Sequence, residues 1–443
     1  MTSDRRFLGP GVPGVPDVPG VPDVPVVPSP IDDHLFRRES GRLVAALTRI
    51  FGLHNLALAE DVAQDAFCRA LEVWKIRGVP DNPAAWLMAV AKHRALDVVR
   101  RERTARTFAP ELARELESEW TLRPALDETF APHVIRDEQL RMMFSCCHPR
   151  LKEDAQVALV LTILCGFGAD EIAGAFLIGR AAVEKRVARG KRVLAGAKRL
   201  FELGDRDFAV RLSAVRRALY LLFNEGYHSA SAHHAVRADL CDEAIRLVSL
   251  LIEAPAAAVP ETYALGALMC LHAARLPDRT GPGGELHALP DQDRSQWDAD
   301  LIARGLAWLD VSATGPTVSA YHVEAAIAFA HVTAKTAADT DWRAIVSLYD
   351  TLMTIAPSPV VALNRAIAIG ERDGPARGLA AMRAIVDVDR LARYPFYPAS
   401  MGELERRRGD LRAAGEHFGA AAALARNAAE RRFFERRRAE CGE

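Results

Sequence analysis

Apolar residues recur along this chain at the three-and-four spacing of amphipathic helices. Leu43, Val44, Leu47, Ile50 and Phe51 give the first such stripe. A second runs from Leu56 to Trp74, with Val62, Ala66, Phe67, Ala70, Leu71 and Trp74 inward and Glu60, Asp61, Gln64 and Asp65 outward. A short loop from Arg77 to Asn82 follows, in which Asn82 is a natural N-cap and Pro83 a natural first helical residue. They predict a third helix with Leu87, Val90, Ala91, Ala95 and Val98 buried. Residues 107–132 are polar, carry Pro110, Pro124 and Pro132, and lack strong periodicity, which predicts a linker. Residues 133–203 form a second helical unit, ending between Ala169 and Ala197 in two helices joined by a tight turn. Val183, Val187 and Leu194 make a narrow packing stripe on the second of these.

Beyond residue 204 the chain becomes a long series of Ala/Leu-rich amphipathic helices. Breaks are expected at Pro255–Pro260, Pro277–Pro290, Ala313–Thr317, Pro357–Pro359, Asp373–Pro375 and Tyr394–Pro398. RDGPARGLAAM around Gly374 and RGDLRAAGEHF around Gly409 repeat at an offset of about 35 residues, near the tetratricopeptide period. An irregular helical bundle is the alternative to a repeat. At the other end, proline recurs every third residue from Pro10 to Pro28, which suits an extended, semi-rigid tail over residues 1–32. The fold class expected is therefore all-α: a tail (1–32), two small helical domains (33–106 and 133–203) joined by a linker (107–132), and a helical extension (204–443).

Composition narrows the function classes. The 443 residues carry 57 Lys and Arg against 58 Asp and Glu, and half of them are hydrophobic, as in an ordinary globular protein. No uncharged apolar run is long enough for a membrane span. Seven cysteines at irregular spacings fit reduced thiols in a cytoplasmic protein better than a disulfide framework. Cys146-Cys147-His148 lacks a second ligand pair at zinc spacing, so no metal is expected. No P-loop, HExxH or nucleophile elbow is present, and no enzymatic activity or cofactor is expected.

Against this near-neutral background, positive charge is concentrated in two helices. Between Arg180 and Arg199 stand Arg180, Lys185, Arg186, Arg189, Lys191, Arg192, Lys198 and Arg199, opposed by Glu184. Between Lys92 and Arg106 stand Lys92, Arg94, Arg100, Arg101, Arg103 and Arg106, opposed by Asp97 and Glu102. A helix with one packed and one cationic face, preceded by a short helix and a turn, is how a helix-turn-helix presents itself to DNA. A solvated surface helix is the bland alternative.

With both cationic helices in order, the first 200 residues resemble bacterial sigma factors of the extracytoplasmic-function type. AEDVAQDAFCRALEVW (from Ala59) resembles their region 2.2, NPAAWLMAVAKHRALDVVRRER resembles regions 2.3 and 2.4, and Leu151 to Leu194 resembles region 4. FNEGYHSASAHHAVRADLCDEAIRL, DQDRSQWDADLI and APSPVVALNRAIAI resemble a subgroup with a tetratricopeptide-like extension. Two positions depart from the family: His93 where Asn is most frequent, and Leu177 where the turn usually has Gly.

The resemblance implies three tasks. Asp61, Gln64 and Asp65 would bind core RNA polymerase. Arg77, Asn82, Lys92, His93, Arg100, Arg101 and Arg103 would capture the −10 promoter element. Arg180, Glu184, Lys185, Arg186, Arg189 and Arg192 would meet the −35 element, with Lys191, Arg192 and Lys198 better suited to phosphates. Trp86 would stack on a base or belong to the core. The partners implied are core polymerase, promoter DNA and a partner, internal or external, for the extension. Two rival classes remain: a conventional helix-turn-helix regulator with a repeat sensor domain, and a scaffold whose basic helices are surface.

Overall fold

The structure is a computed structural model that describes residues 33–105, 132–176, 178–196, 208–228, 235–281 and 283–442. The expected proline-rich tail and all of the expected linker but Pro132 lie outside these residues, as does Leu177. The described chain is all-helical; its one β feature is an isolated bridge between Thr280 and Leu286.

Three helices open the chain: α1 (Asp33–Phe51), α2 (Leu56–Arg77) and α3 (Pro83–Ala105). The stripe expected on α1 is buried throughout. On α2, Val62, Ala66, Phe67, Ala70 and Trp74 are buried as their spacing predicts, whereas Leu71 is 43% exposed. Gly78 ends α2 at φ 80°, a backbone state that costs glycine nothing. Asn82 Oδ1 accepts the Ala85 amide at 3.0 Å, so α3 starts with the expected cap.

The next four helices are α4 (Pro132–Cys146), α5 (Glu153–Ile163), α6 (Ala169–Phe176) and α7 (Arg180–Ala195). From Ala155 to Leu161 every side chain of α5 is buried, which marks a helix covered on all sides after its first turn. It touches α1, α4, α6 and α7, and α8 (Phe208–Tyr227) also packs on it. Gly190 lets α7 approach, since a Cβ there would stand 2.7 Å from Leu159 Cδ1.

The apolar core does not stop at residue 203. One cluster of buried side chains runs from Leu43 to Ala273. Phe144 of α4 stacks on Phe208 of α8 with ring centres 5.0 Å apart, and Arg211 donates to the Phe144 carbonyl at 3.0 Å. The helix α1 reaches across to α4, α5 and α9 (Ala238–Glu253). At Gly41 it comes close to the segment after α5, since a Cβ there would lie 2.1 Å from the Leu164 carbonyl oxygen.

From α9 onward each helix packs on its successor: α10 (Pro260–Ala273), α11 (Ala299–Ser312), α12 (Ala320–Thr333), α13 (Trp342–Ile355), α14 (Pro359–Asp373), α15 (Pro375–Arg383), α16 (Phe396–Arg408), α17 (Leu411–Leu424) and α18 (Ala428–Ala439). Every expected break falls at or beside a helix end. The turn between α12 and α13 was not expected, because it has neither Gly nor Pro. Side-chain caps make it: Thr336 with Asp339, and Asp341 accepting the Ala344 amide. Gly374 and Gly409, at matching places in the expected repeat, both turn the chain at positive φ (93° and 94°). The last helix returns to the segment after α10: Arg436 donates to the Leu286 carbonyl at 3.2 Å, and Arg437 pairs with Asp291 at 3.3 Å.

Candidate nucleic-acid interface

The outer face of α2 presents Asp61, Gln64 and Asp65 to solvent. Asp65 accepts from Arg94 of α3 at 3.0 Å, an exposed pair that contributes little stability. Leu71, Ile76 and Val79 extend the same side of the molecule as exposed apolar surface, Ile76 being 85% exposed. The neighbouring Arg77 is exposed as well.

At the start of α3 the cap fixes Asn82 Oδ1 against the helix, leaving the amide nitrogen of that side chain as its outward group. One turn later Trp86 is half-buried and meets Trp74 edge to face at 5.3 Å, so its ring belongs to the packing side. His93 is exposed, and its Nδ1 lies 2.8 Å from the Ala89 carbonyl. A carbonyl only accepts, so Nδ1 carries a proton in this bond, and Nε2 is the ring nitrogen left over. Lys92 is half-buried. Arg100, Arg101 and Arg103 belong to α3, but their side chains lie outside the described residues.

On α7, Val183, Gly190 and Leu194 are buried and Val187 is half-buried, which leaves the opposite face to the cations. Arg180, Glu184, Lys185, Arg189 and Arg192 are exposed, and Arg186 is half-buried. Arg180 bonds Asp170 and Glu184, both at 2.8 Å, and Arg186 pairs with Asp154 at 3.4 Å. Among the described residues Lys185, Arg189 and Arg192 make no ion pair. Lys191, expected on phosphates, instead bonds Glu60 of α2 at 2.7 Å.

That contact is one of several joining the two cationic units. Arg49 of α1 donates to Glu138 of α4 at 2.8 Å. More deeply, Glu171 of α6 accepts from Arg37 of α1 at 2.7 Å and from Arg237, just before α9, at 2.8 Å. Asp239 lies 3.6 Å and 3.4 Å from the same two arginines, whose side chains are 8% and 9% exposed. Both guanidinium groups stand over the Phe167 ring. Burial pushes the Glu171 carboxyl up, but Arg37, the Gly168 amide and Arg237 outweigh it and hold the group below its ordinary range.

Cys146 and Cys147 are buried, and burial pushes both thiols up. No group of three His, Cys, Asp or Glu side chains that could hold a metal occurs among the described residues. No described helix is long and apolar enough to cross a membrane.

Residues 35–105, which hold α1 to α3, match the Sigma-70 region 2 family. This chain carries a sigma-70 region 2. The match supports a sigma-70 family factor, with polymerase binding and promoter recognition as its role. Residues 211–313, from α8 to the end of α11, match a family of unknown function (DUF6596). Over 390 residues the chain is 40% identical to an uncharacterized protein of Rhizobium meliloti (strain 1021), covering 87% of this chain and 90% of that protein. The two belong to one family. No solved structure matches the chain.

The expected region 2 residues are thus gathered on α2, the loop after it and α3, and the α7 residues on one separate cationic face. Sequence reasoning missed the buried clasp of Arg37, Glu171, Arg237 and Asp239, since no spacing links positions so far apart. Gly41 did carry a signal: a glycine inside a strong helix costs about 1 kcal/mol and is tolerated where another backbone comes close.

Proposed function

We propose that the chain is a sigma factor of the extracytoplasmic-function type. It binds core RNA polymerase through the outer face of α2, captures the −10 element with the loop from Arg77 to Asn82 and with α3, and grips the −35 element with α7. What supports this best is the pairing of a region 2 with a second, separate helix that exposes Lys185, Arg189 and Arg192, which have no acidic partner among the described residues. On α2, Asp61, Gln64 and Asp65 offer acceptors beside exposed Leu71 and Ile76, the mixture that a specific docking face uses. On α3, Lys92, Arg100, Arg101 and Arg103 supply phosphate contacts, and His93 Nε2 offers an acceptor to a base amine. On α7, Arg180, Glu184, Lys185, Arg186 and Arg189 enter the major groove, with Arg192 on the backbone.

The extension sets this activity. In the free chain α8 packs on α4 and α5, and α9 on α1 and α4, the same helices against which α2, α3 and α7 lie, so one continuous core backs both reading faces. Duplex DNA advances ~3.4 Å per base pair, so two elements spaced along it need domains that can separate. The closed arrangement is the inactive one, and polymerase binding opens it. The extension thereby takes the place of a separate inhibitor, in a cytoplasmic protein that meets the nucleoid with polymerase.

The test is binding of the labelled chain to purified bacterial core polymerase. Saturable binding that Asp61→Arg with Gln64→Arg abolishes, while the fold and duplex binding persist, is expected. A conventional helix-turn-helix regulator is the second reading, favoured by the exposure of the α7 cations even in the closed chain. Duplex binding with no affinity for core polymerase would establish that reading instead.

A further inference from the structure

Where α18 returns to the segment after α10, the two line a half-open pocket of about 260 Å³. Its walls are largely apolar, with Phe396, Phe418, Phe434 and Leu289 among them, and Arg279 and His228 line one part of it. Most charged groups on the wall already have partners. Glu430 is bonded by Arg426, Glu403 by Arg406 at 2.7 Å, and Arg437 lies between Asp291 and Glu440. His287 sits 3.3 Å from Asp278.

Arg279 is the exception. Its Nη2 donates to His228 Nδ1 at 2.9 Å, and the guanidinium lies over the Tyr227 ring at 4.1 Å. Its Nε is buried without a hydrogen-bond partner. Behind it Arg275, 7% exposed, bonds the Tyr227 hydroxyl, and its Nε also lacks a partner. Among the described residues no carboxylate pairs with either guanidinium. Arg275 also lies 3.4 Å from His272 Nδ1, so one buried and one half-buried cation share a phenol and two imidazoles, an arrangement that an anion would complete. His228 is itself exposed, and since a guanidinium only donates, its Nδ1 is the acceptor of that bond. With Nδ1 accepting from Arg279, His228 keeps Nε2–H as a donor.

We propose that this cavity binds a small monocarboxylate with an apolar, arene-sized body. Arg279 and His228 Nε2–H hold the carboxylate, and the body packs on Phe396 and Phe434. His228 meets Phe396 edge-on at 6.0 Å, and Phe396 meets Phe434 at the same distance, so charged and aromatic parts adjoin. At ~30 Å³ per water-sized volume the space suits roughly nine non-hydrogen atoms. Glu403 and Glu430 on the wall disfavour a second negative charge, which sets a monocarboxylate ahead of phosphate. The site stands at the end of α8, which packs on α4 and α5 as well as on α9 and α10, and it goes beyond the proposed transcriptional role.

The experiment is isothermal titration of the full chain with phenylacetate, its neutral isostere phenylacetamide, and inorganic phosphate. Saturable binding of phenylacetate at one site is expected, weaker by about tenfold or more for the amide, with phosphate weaker still. Arg279→Gln should lower phenylacetate affinity by at least about tenfold. Ala288→Phe, on a half-buried part of the cavity rim, should do the same by filling the space and leaves the charged cluster intact. No phenylacetate binding up to about 10 mM, equal binding of the amide, tighter binding of phosphate, or an affinity unchanged in a folded variant would overturn the proposal.

Discussion

Glu324 and Arg189 illustrate how much single side chains decide. Glu324 of α12 accepts from the Tyr220 hydroxyl at 3.0 Å, and burial pushes its carboxyl up to about 7. The native fold thus favours the protonated form. The stability this contributes is complete below the ordinary carboxylate range, near ~4.3, and is lost as pH rises through about 7. Glu324→Gln, which cannot ionise, is expected to melt higher than the parent at pH 8 and close to it at pH 5; parallel pH profiles would refute the assignment. Arg189 is exposed on α7 and makes no ion pair among the described residues. If it meets a phosphate, Arg189→Ala should lower the slope of log affinity against log salt by ~1, and a lysine there should restore most of it.

Between elements, the joint of α1 with α5 and α6 governs whether the two cationic faces stay together. Gly41→Ala would drive a Cβ into the Leu164 carbonyl, a backbone atom that no side-chain rotation can clear. Separation of α1 from α5 is the expected result, read as a larger distance between dyes at Arg69 and Arg189, both exposed. The Glu171 clasp carries a pH dependence of the opposite sense to Glu324. Its carboxyl lies below its ordinary range in the fold, so its contribution is full above ~4.3 and lost as pH falls through the depressed value. Acid should open the same dye pair, and Glu171→Gln should open it already at neutral pH. An unchanged distance in both would dismiss the clasp.

At the scale of the molecule, much of the fold was legible because helices announce themselves locally. The buried stripes of α1 and α2, the Asn82 cap and the breaks at Pro260, Pro359 and Pro375 all depend on residues a few positions apart. Leu71 sits at the edge of its stripe, where periodicity alone does not separate core from docking surface. Long-range pairings were not legible: Lys191 with Glu60, Arg37 with Glu171 and Arg237, and Arg279 facing a pocket lined by α18 all join distant segments. The same continuity changes how the extension must be tested. Cutting after residue 205 would strip α8 from α4 and α5, exposing the partners of Leu212, Val215 and Leu219. That truncation is expected to aggregate, so the joint variants are the cleaner probe of regulation.

The central claim is that this chain directs transcription initiation. Its most direct measurement is in vitro transcription with purified bacterial core polymerase and a pool of promoters from the source genome, with start sites mapped with and without the protein. Discrete new starts that need the protein, and that rise further with Gly41→Ala, are the predicted result. Duplex binding with no new starts from either the parent or the opened variant would contradict it.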